Sequence, residues 1–153
     1  MSELERVCEW NSLAGNSVET QNSLFTHKIQ SQLSFIEEEF NELLDAFADD
    51  DKTEVVDALG DLLVVVSGML YLMKINPEYL LKIINDSNFS KFIDPDNTED
   101  IAKTISKYAG DSRYKDVYVN DQGVVKGVVK ETGSLKILKG CNYREPDIKE
   151  VLS

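Results

Sequence analysis

The sequence has one histidine, two cysteines, one tryptophan and three prolines among 153 residues. With His27 as the only histidine and no G-x-S-x-G turn, zinc sites and Ser–His catalysis are poorly supported. Cys8 and Cys141 form no C-x-x-C pair and cannot build a disulfide framework, so a reducing interior is expected. Basic residues are scarce, sixteen against 28 acidic, for a net charge of -12. A sequence-independent grip on a nucleic acid polymer needs a basic surface, so none is expected. There is no G-x-x-x-x-G-K-[ST] phosphate loop. Long apolar runs are missing too. The longest uncharged stretch, residues 62–73 (LLVVVSGMLYLM), falls short of the roughly 20 residues that cross a bilayer, so no membrane partner is expected. The opening MSELERVCEW has no basic flank followed by an apolar run, which predicts no signal peptide and a cytoplasmic location.

What is present is acid, and it is concentrated. Residues 37–61 hold eleven carboxylates and one base, Lys52, a net of -10 that leaves only -2 for the rest of the chain. The acids alternate with Phe35, Ile36, Phe40, Leu43, Leu44 and Phe47, so this is no solvated tail.

The patterning predicts helices first and strands later. A short helix over residues 3–14 is stopped by Gly15 and Asn16. A long helix is expected over residues 24–48, with Leu33, Ile36, Phe40, Leu43, Leu44 and Phe47 as its apolar stripe. Asp50 or Asp51 would cap the next, over residues 53–75, ended by Asn76–Pro77. The short turn makes these two an antiparallel hairpin. Further helices are expected over residues 77–86 and 99–109, with a polar segment, SNFSKFIDPDNTED, between them. Beyond Gly110, Val and Ile punctuated by Asp-Gln-Gly and Thr-Gly predict short antiparallel strands. The expectation is therefore a mainly α single domain. Residues 1–110 would be a helical bundle around an antiparallel hairpin, and residues 111–153 a small C-terminal β extension packed on it. One hairpin of this size, with Val64, Val65, Leu72 and Met73 on it, exposes more apolar surface than the chain can cover, so self-association is expected.

Glu38, Glu39 and Glu42 share one face of the first long helix, and Glu54, Asp57 and Asp61 share one face of the second. Like charges at these spacings repel, and no base stands among the first three. Each triplet alone is most simply a solvated face. Two triplets converging from antiparallel helices make a set of hard oxygens suited to Mg²⁺ or Mn²⁺. Such ions keep open positions for water and substrate phosphates, which points to phosphoryl chemistry on a nucleotide.

FIEEEFNELLDAF followed by EVVDALGDLLVVVSG resembles the MazG-like all-α nucleoside triphosphate pyrophosphohydrolases, and more closely their phosphoribosyl-ATP pyrophosphohydrolase-like branch, common in phages and bacteria. Glu38, Glu39 and Glu42 match the family's E-E-x-x-E. Its E-x-x-D fits in two registers, literally at Glu54 and Asp57, or through the DALGDLL run at Asp57 and Asp61 with Ala58 replacing the usual Glu. RVCEWNSLAGN, SNFSK and GSLKILKGCNYREPDI resemble further family segments in the same order.

The resemblance implies a MazG-like helical bundle and metal-dependent hydrolysis of a (deoxy)nucleoside triphosphate to the monophosphate and pyrophosphate. It implies Glu38 as the group orienting or deprotonating water, and Glu39, Glu42, Asp57 and Asp61, with Glu54 an alternative, as ligands of Mg²⁺ or Mn²⁺. It also implies substrate contacts from Asn88, Lys91, Lys139 and Tyr143, base contacts from Trp10 and Asn11, and a homodimer or dimer of dimers. The competing expectation is a non-catalytic acidic helical module that binds metal or protein.

Overall fold

The computed structural model describes residues 1–20 and 23–152. They pack as two compact units, residues 1–80 with 149–152, and residues 81–148. The change of texture at Gly110 falls inside the second unit.

The first unit is helical. Helix α1 (Glu3–Leu13) opens on a capping box, in which the Ser2 hydroxyl accepts from Glu5 N–H and the Glu5 carboxylate from Ser2 N–H. Helix α2 (His27–Ala48) starts three residues later than expected because Thr26, not Leu24, provides the N-cap. Asp51 caps α3 (Lys52–Leu72), its Oδ1 accepting from Thr53 and Glu54 N–H. The chain leaves α3 through Lys74 in a left-handed conformation, φ 59°. The first turn of α4 (Pro77–Phe89) and a short α6 (Lys149–Leu152), which the patterning missed, complete this unit. Tyr79 Oη donates to Glu150 Oε2 at 3.1 Å.

Of the expected stripe, only Ile36 and Leu43 lie on the packing face of the hairpin. The least exposed positions of α2 are Ile29, Gln32, Ile36, Glu39, Leu43 and Ala46, joined by Ser31. They face Val55, Ala58, Leu62, Val65, Met69 and Leu72 of α3, and both series alternate steps of three and four. Leu33, Phe40, Leu44 and Phe47 stay exposed, Phe47 at 76%. The exposed apolar row of α2 lies beside the seam, in which the small Ala46 and Ala58 are buried. On α3, Val56, Leu59, Leu63 and Val66 are also exposed at the same three-four spacing, Leu63 at 67%. Of the four residues expected on the open surface, Val64 is exposed, Val65 and Met69's neighbour Met73 are half-buried, and Leu72 is buried inside its own hairpin. By length and composition α3 would suffice to cross a membrane, although Asp57 and Asp61 lie within it.

In the second unit, α4 runs on through Ser87, Asn88 and Phe89, so SNFSK is the last turn of a helix and its exit rather than a loop. Asn97 caps α5 (Thr98–Ala109), accepting from Asp100 N–H. Strands β1 (Tyr114–Val119), β2 (Val125–Val129) and β3 (Leu135–Ile137) form an antiparallel meander in chain order. A bulge between Lys115 and Tyr118 places Asp116 at φ 53°. Tyr108, fully buried Val125 and Leu138 form the core, flanked by Tyr114, Val117 and Val119.

Candidate active site

Gln32 Nε2 donates to the Val65 carbonyl at 2.8 Å across the α2–α3 seam. Counting seven residues forward on α2 and seven back on antiparallel α3 brings Glu39 level with Ala58, which follows Asp57 and lies one turn before Asp61. The backbone thus converges the two acid triplets. Glu39 sits on the packing face itself, where a helix pair chosen for stability would carry an apolar side chain. Its Oε2 is buried and has no hydrogen-bond partner. A buried acceptor without a donor is destabilising, and an ionised one more so. Burial first, then the carboxylates of Glu42, Asp61, Glu38 and Asp57, pushes the Glu39 carboxyl above the ordinary glutamate range. All five first-choice carboxylates of the sequence reading therefore act on one point.

Glu38, Glu42, Asp57 and Asp61 are exposed. Towards the turn, Glu42, Asp45, Asp49, Asp51, Glu54 and Asp57 line a depression of about 320 Å³. Glu54 and Asp57 also line an open groove with Gly60 and Asp61. Both registers of the E-x-x-D pattern thus border the same region. Asp45 and Asp49 were missed, though their signal was available, since they continue the row of Glu42 at i+3 and i+7.

Among the described residues, no three His, Cys, Asp or Glu side chains are drawn tightly enough together to enclose an ion as they stand. The chemistry of the donor set nonetheless fits a hard divalent cation. Its donors are all carboxylate oxygens, no base pairs with them, and the orphaned Glu39 oxygen lacks the positive partner that burial demands. Exposed Glu and Asp side chains on fixed helices can close on a cation by rotamer change alone.

The other expected site residues divide between the units. Trp10 is exposed and lines a depression of about 450 Å³ with Arg6, Leu13 and Val64. Asn11 is buried, donating to the Val7 carbonyl at 2.9 Å and accepting from Asn16 Nδ2 at 2.8 Å. In the second unit, Asn88, Lys91, Lys139 and Tyr143 gather at one place. Asn88 Oδ1 accepts from Lys91 Nζ at 2.9 Å. The Lys91 carbonyl accepts from Gly140 N–H at 2.8 Å, and Lys139 Nζ lies 4.2 Å from the centre of the Tyr143 ring. A Cβ on Gly140 would meet the Lys91 carbonyl oxygen at 2.7 Å, so only glycine allows this approach.

The family profile for phosphoribosyl-ATP pyrophosphohydrolase matches residues 7–88, more than half of the chain. The chain belongs to the phosphoribosyl-ATP pyrophosphohydrolase family. The match contains α1 from Val7 onward, α2, α3 and α4 up to Asn88, hence every carboxylate of the two acid triplets, and leaves the sheet outside it. An uncharacterized protein of Acanthamoeba polyphaga mimivirus is 27% identical over 139 residues, covering 78% of this chain. The chain spans about half the length of that relative, 54%. No solved structure matches it. This phosphoribosyl-ATP pyrophosphohydrolase family member keeps both carboxylate-bearing helices and adds a three-stranded sheet after the matched region.

Proposed function

We propose that the chain hydrolyses a nucleoside triphosphate between its α- and β-phosphates, with Mg²⁺ or Mn²⁺ held by Glu39, Glu42, Asp57 and Asp61. The observation that carries this is the buried, unpartnered Glu39 oxygen set among four further carboxylates. Bound divalent ions would neutralise phosphate charge and lower the pKa of a water. Glu38, exposed and outside the seam, orients that water or takes its proton. Within the second unit, Lys91 and Lys139 supply ammonium groups and Asn88 an amide, a set suited to an anion.

The exposed stripes on α2 and α3 support association with a second copy. Two hairpins placed face to face would turn Leu33, Phe40, Leu44 and Leu59, Leu63, Val66 into the core of a four-helix bundle.

The test is incubation with Mg²⁺ and a panel of canonical and modified nucleoside triphosphates, separating pyrophosphate from orthophosphate. Pyrophosphate release is expected, and Glu38→Gln should lower it by roughly 10²–10⁴-fold while preserving the Mg²⁺-dependent rise in Tm. The second reading, a non-catalytic acidic module, is favoured by the exposure of Glu38, Glu42, Asp57 and Asp61. It predicts metal binding without turnover.

A further inference from the structure

A cavity of about 530 Å³ opens between the N-terminal half of α2, the loop after α1 and the end of α3. Phe35 and Leu72 provide its apolar wall, and His27, Ser31, Gln32 and Asn16 its polar one. The volume suits a small organic ligand, and apolar walls with a few fixed polar groups are the usual make-up of such sites. The polar groups are already held in place. Ser31 Oγ and His27 Nδ1 are 3.0 Å apart, Asn16 is tied to buried Asn11, and Gln32 is bonded across the seam to Val65. Lys28 stands at the rim with its ammonium bonded to the Ser17 hydroxyl at 2.7 Å and the Ser17 carbonyl at 3.3 Å.

The placement of this cavity links it to the carboxylates. At 100° per residue, Gln32, Phe35, Glu39 and Glu42 fall within about 80° of one another around α2. Phe35 precedes Glu39 by four residues, about 6 Å along the helix axis. A half-exposed aromatic ring thus stands one turn from the centre of the acid cluster, on the same face. A phosphate chain would find only Lys28 in the cavity, already bonded twice. A flat heterocycle would find a ring to stack on and hydrogen-bonding groups around its edge.

We propose that this cavity takes the nucleobase of the triphosphate, with Phe35 stacking on its face and Ser31, His27 and Gln32 along its edge. The proposal rests on the pyrophosphohydrolase reading for the rest of the ligand. It assigns the base to Phe35 in place of Trp10, which lines a different depression.

Two measurements decide it. The first compares kcat/KM for nucleoside triphosphates and for base-free inorganic tripolyphosphate in the full chain with Mg²⁺. Phe35→Ala should lower the nucleotide-to-tripolyphosphate ratio about tenfold or more, the effect of losing a base–aromatic stack. His27→Ala and Ser31→Ala should shift the preference among bases. If Trp10→Ala moves the ratio and Phe35→Ala does not, the assignment is overturned. The second is saturation-transfer NMR between the Phe35 ring and free nucleosides without metal. Transfer that disappears in Phe35→Leu is expected. If wild-type protein releases no pyrophosphate from any nucleotide, the reaction assignment fails, and the NMR result still decides the cavity: no transfer from any nucleoside overturns it.

Discussion

Glu39 combines partial burial, an unpartnered oxygen and four neighbouring carboxylates in one side chain. Its carboxyl is raised by burial and by four neighbouring carboxylates, so the native state holds its proton more tightly than the unfolded state does. A group raised on folding contributes stability below the ordinary carboxylate range, and that contribution is lost as pH rises through the raised value. The metal-free protein should therefore gain Tm as pH falls through the raised value towards the ordinary 4.5, and Glu39→Gln should be more stable than wild type above that window with a smaller gain across it. Thermal denaturation across pH in chelator checks this, and an unchanged pH profile in the variant would remove Glu39 from the seam. Asp111 is the opposite case. Two hydrogen bonds from the Arg113 side chain and one from its N–H hold its carboxyl at about 2, below the ordinary 3.8. Its contribution is present above the ordinary value and lost as pH falls towards the depressed one. Asp111→Asn should be less stable than wild type at neutral pH, and the gap should close between pH 3.8 and about 2.

At the scale of elements, two glycines show how unlike their roles are. Gly123 closes the β1–β2 turn at φ 78°, and its carbonyl accepts from Ile93 N–H at 2.9 Å. An added Cβ there would lie 1.7 Å from the Ile93 carbonyl oxygen. Gly123→Ala should destabilise the second unit by on the order of 2–4 kcal/mol, because the left-handed conformation and the clash with backbone act together. Gly60 is in the middle of α3 with nothing within 4 Å of a Cβ. Gly60→Ala should stabilise by roughly 0.5–1 kcal/mol through helix propensity. Urea unfolding of both variants separates them, and equal effects would contradict the close approach of the turn to Ile93.

For the molecule as a whole, the exposed rows of α2 and α3 set its behaviour in solution. Leu63, Leu59 and Val66 on α3 and Phe40 and Leu44 on α2 are placed at helix-packing intervals and are not covered within the chain. A contiguous apolar surface of this kind is a mark of association. Leu63→Arg puts a charge at the middle of it. Sedimentation at micromolar concentration should report a dimer or larger species for the wild type and a monomer for the variant, with helical circular dichroism retained. A monomeric wild type would show that the rows are covered by something other than a second copy.

The hairpin, its cap at Asp51, the meander after Gly110 and the acids on both long helices were legible in the sequence. Each depends on local chemistry: three-four periodicity, N-cap side chains, β-branched runs between glycine turns and the spacing of like charges. Which face of α2 meets α3 was not legible. The expected stripe holds Ile36 and Leu43, which are in the seam, but its Leu33, Phe40, Leu44 and Phe47 are exposed, and the seam takes in polar Gln32 and Glu39 instead. Periodicity measures how apolar a face is, whereas packing depends on which faces fit together, and here the packed face carries small Ala46 and Ala58 beside polar Gln32 and Glu39. The sequence by itself therefore determined that five carboxylates share two helices. Only the tertiary structure decided that one of them, Glu39, is half-buried at the seam with its Oε2 unpartnered, and that the cavity beside Phe35 lies on the same face of α2. Burial and hydrogen-bond satisfaction are set by the neighbouring element, which residues 27–48 do not encode on their own.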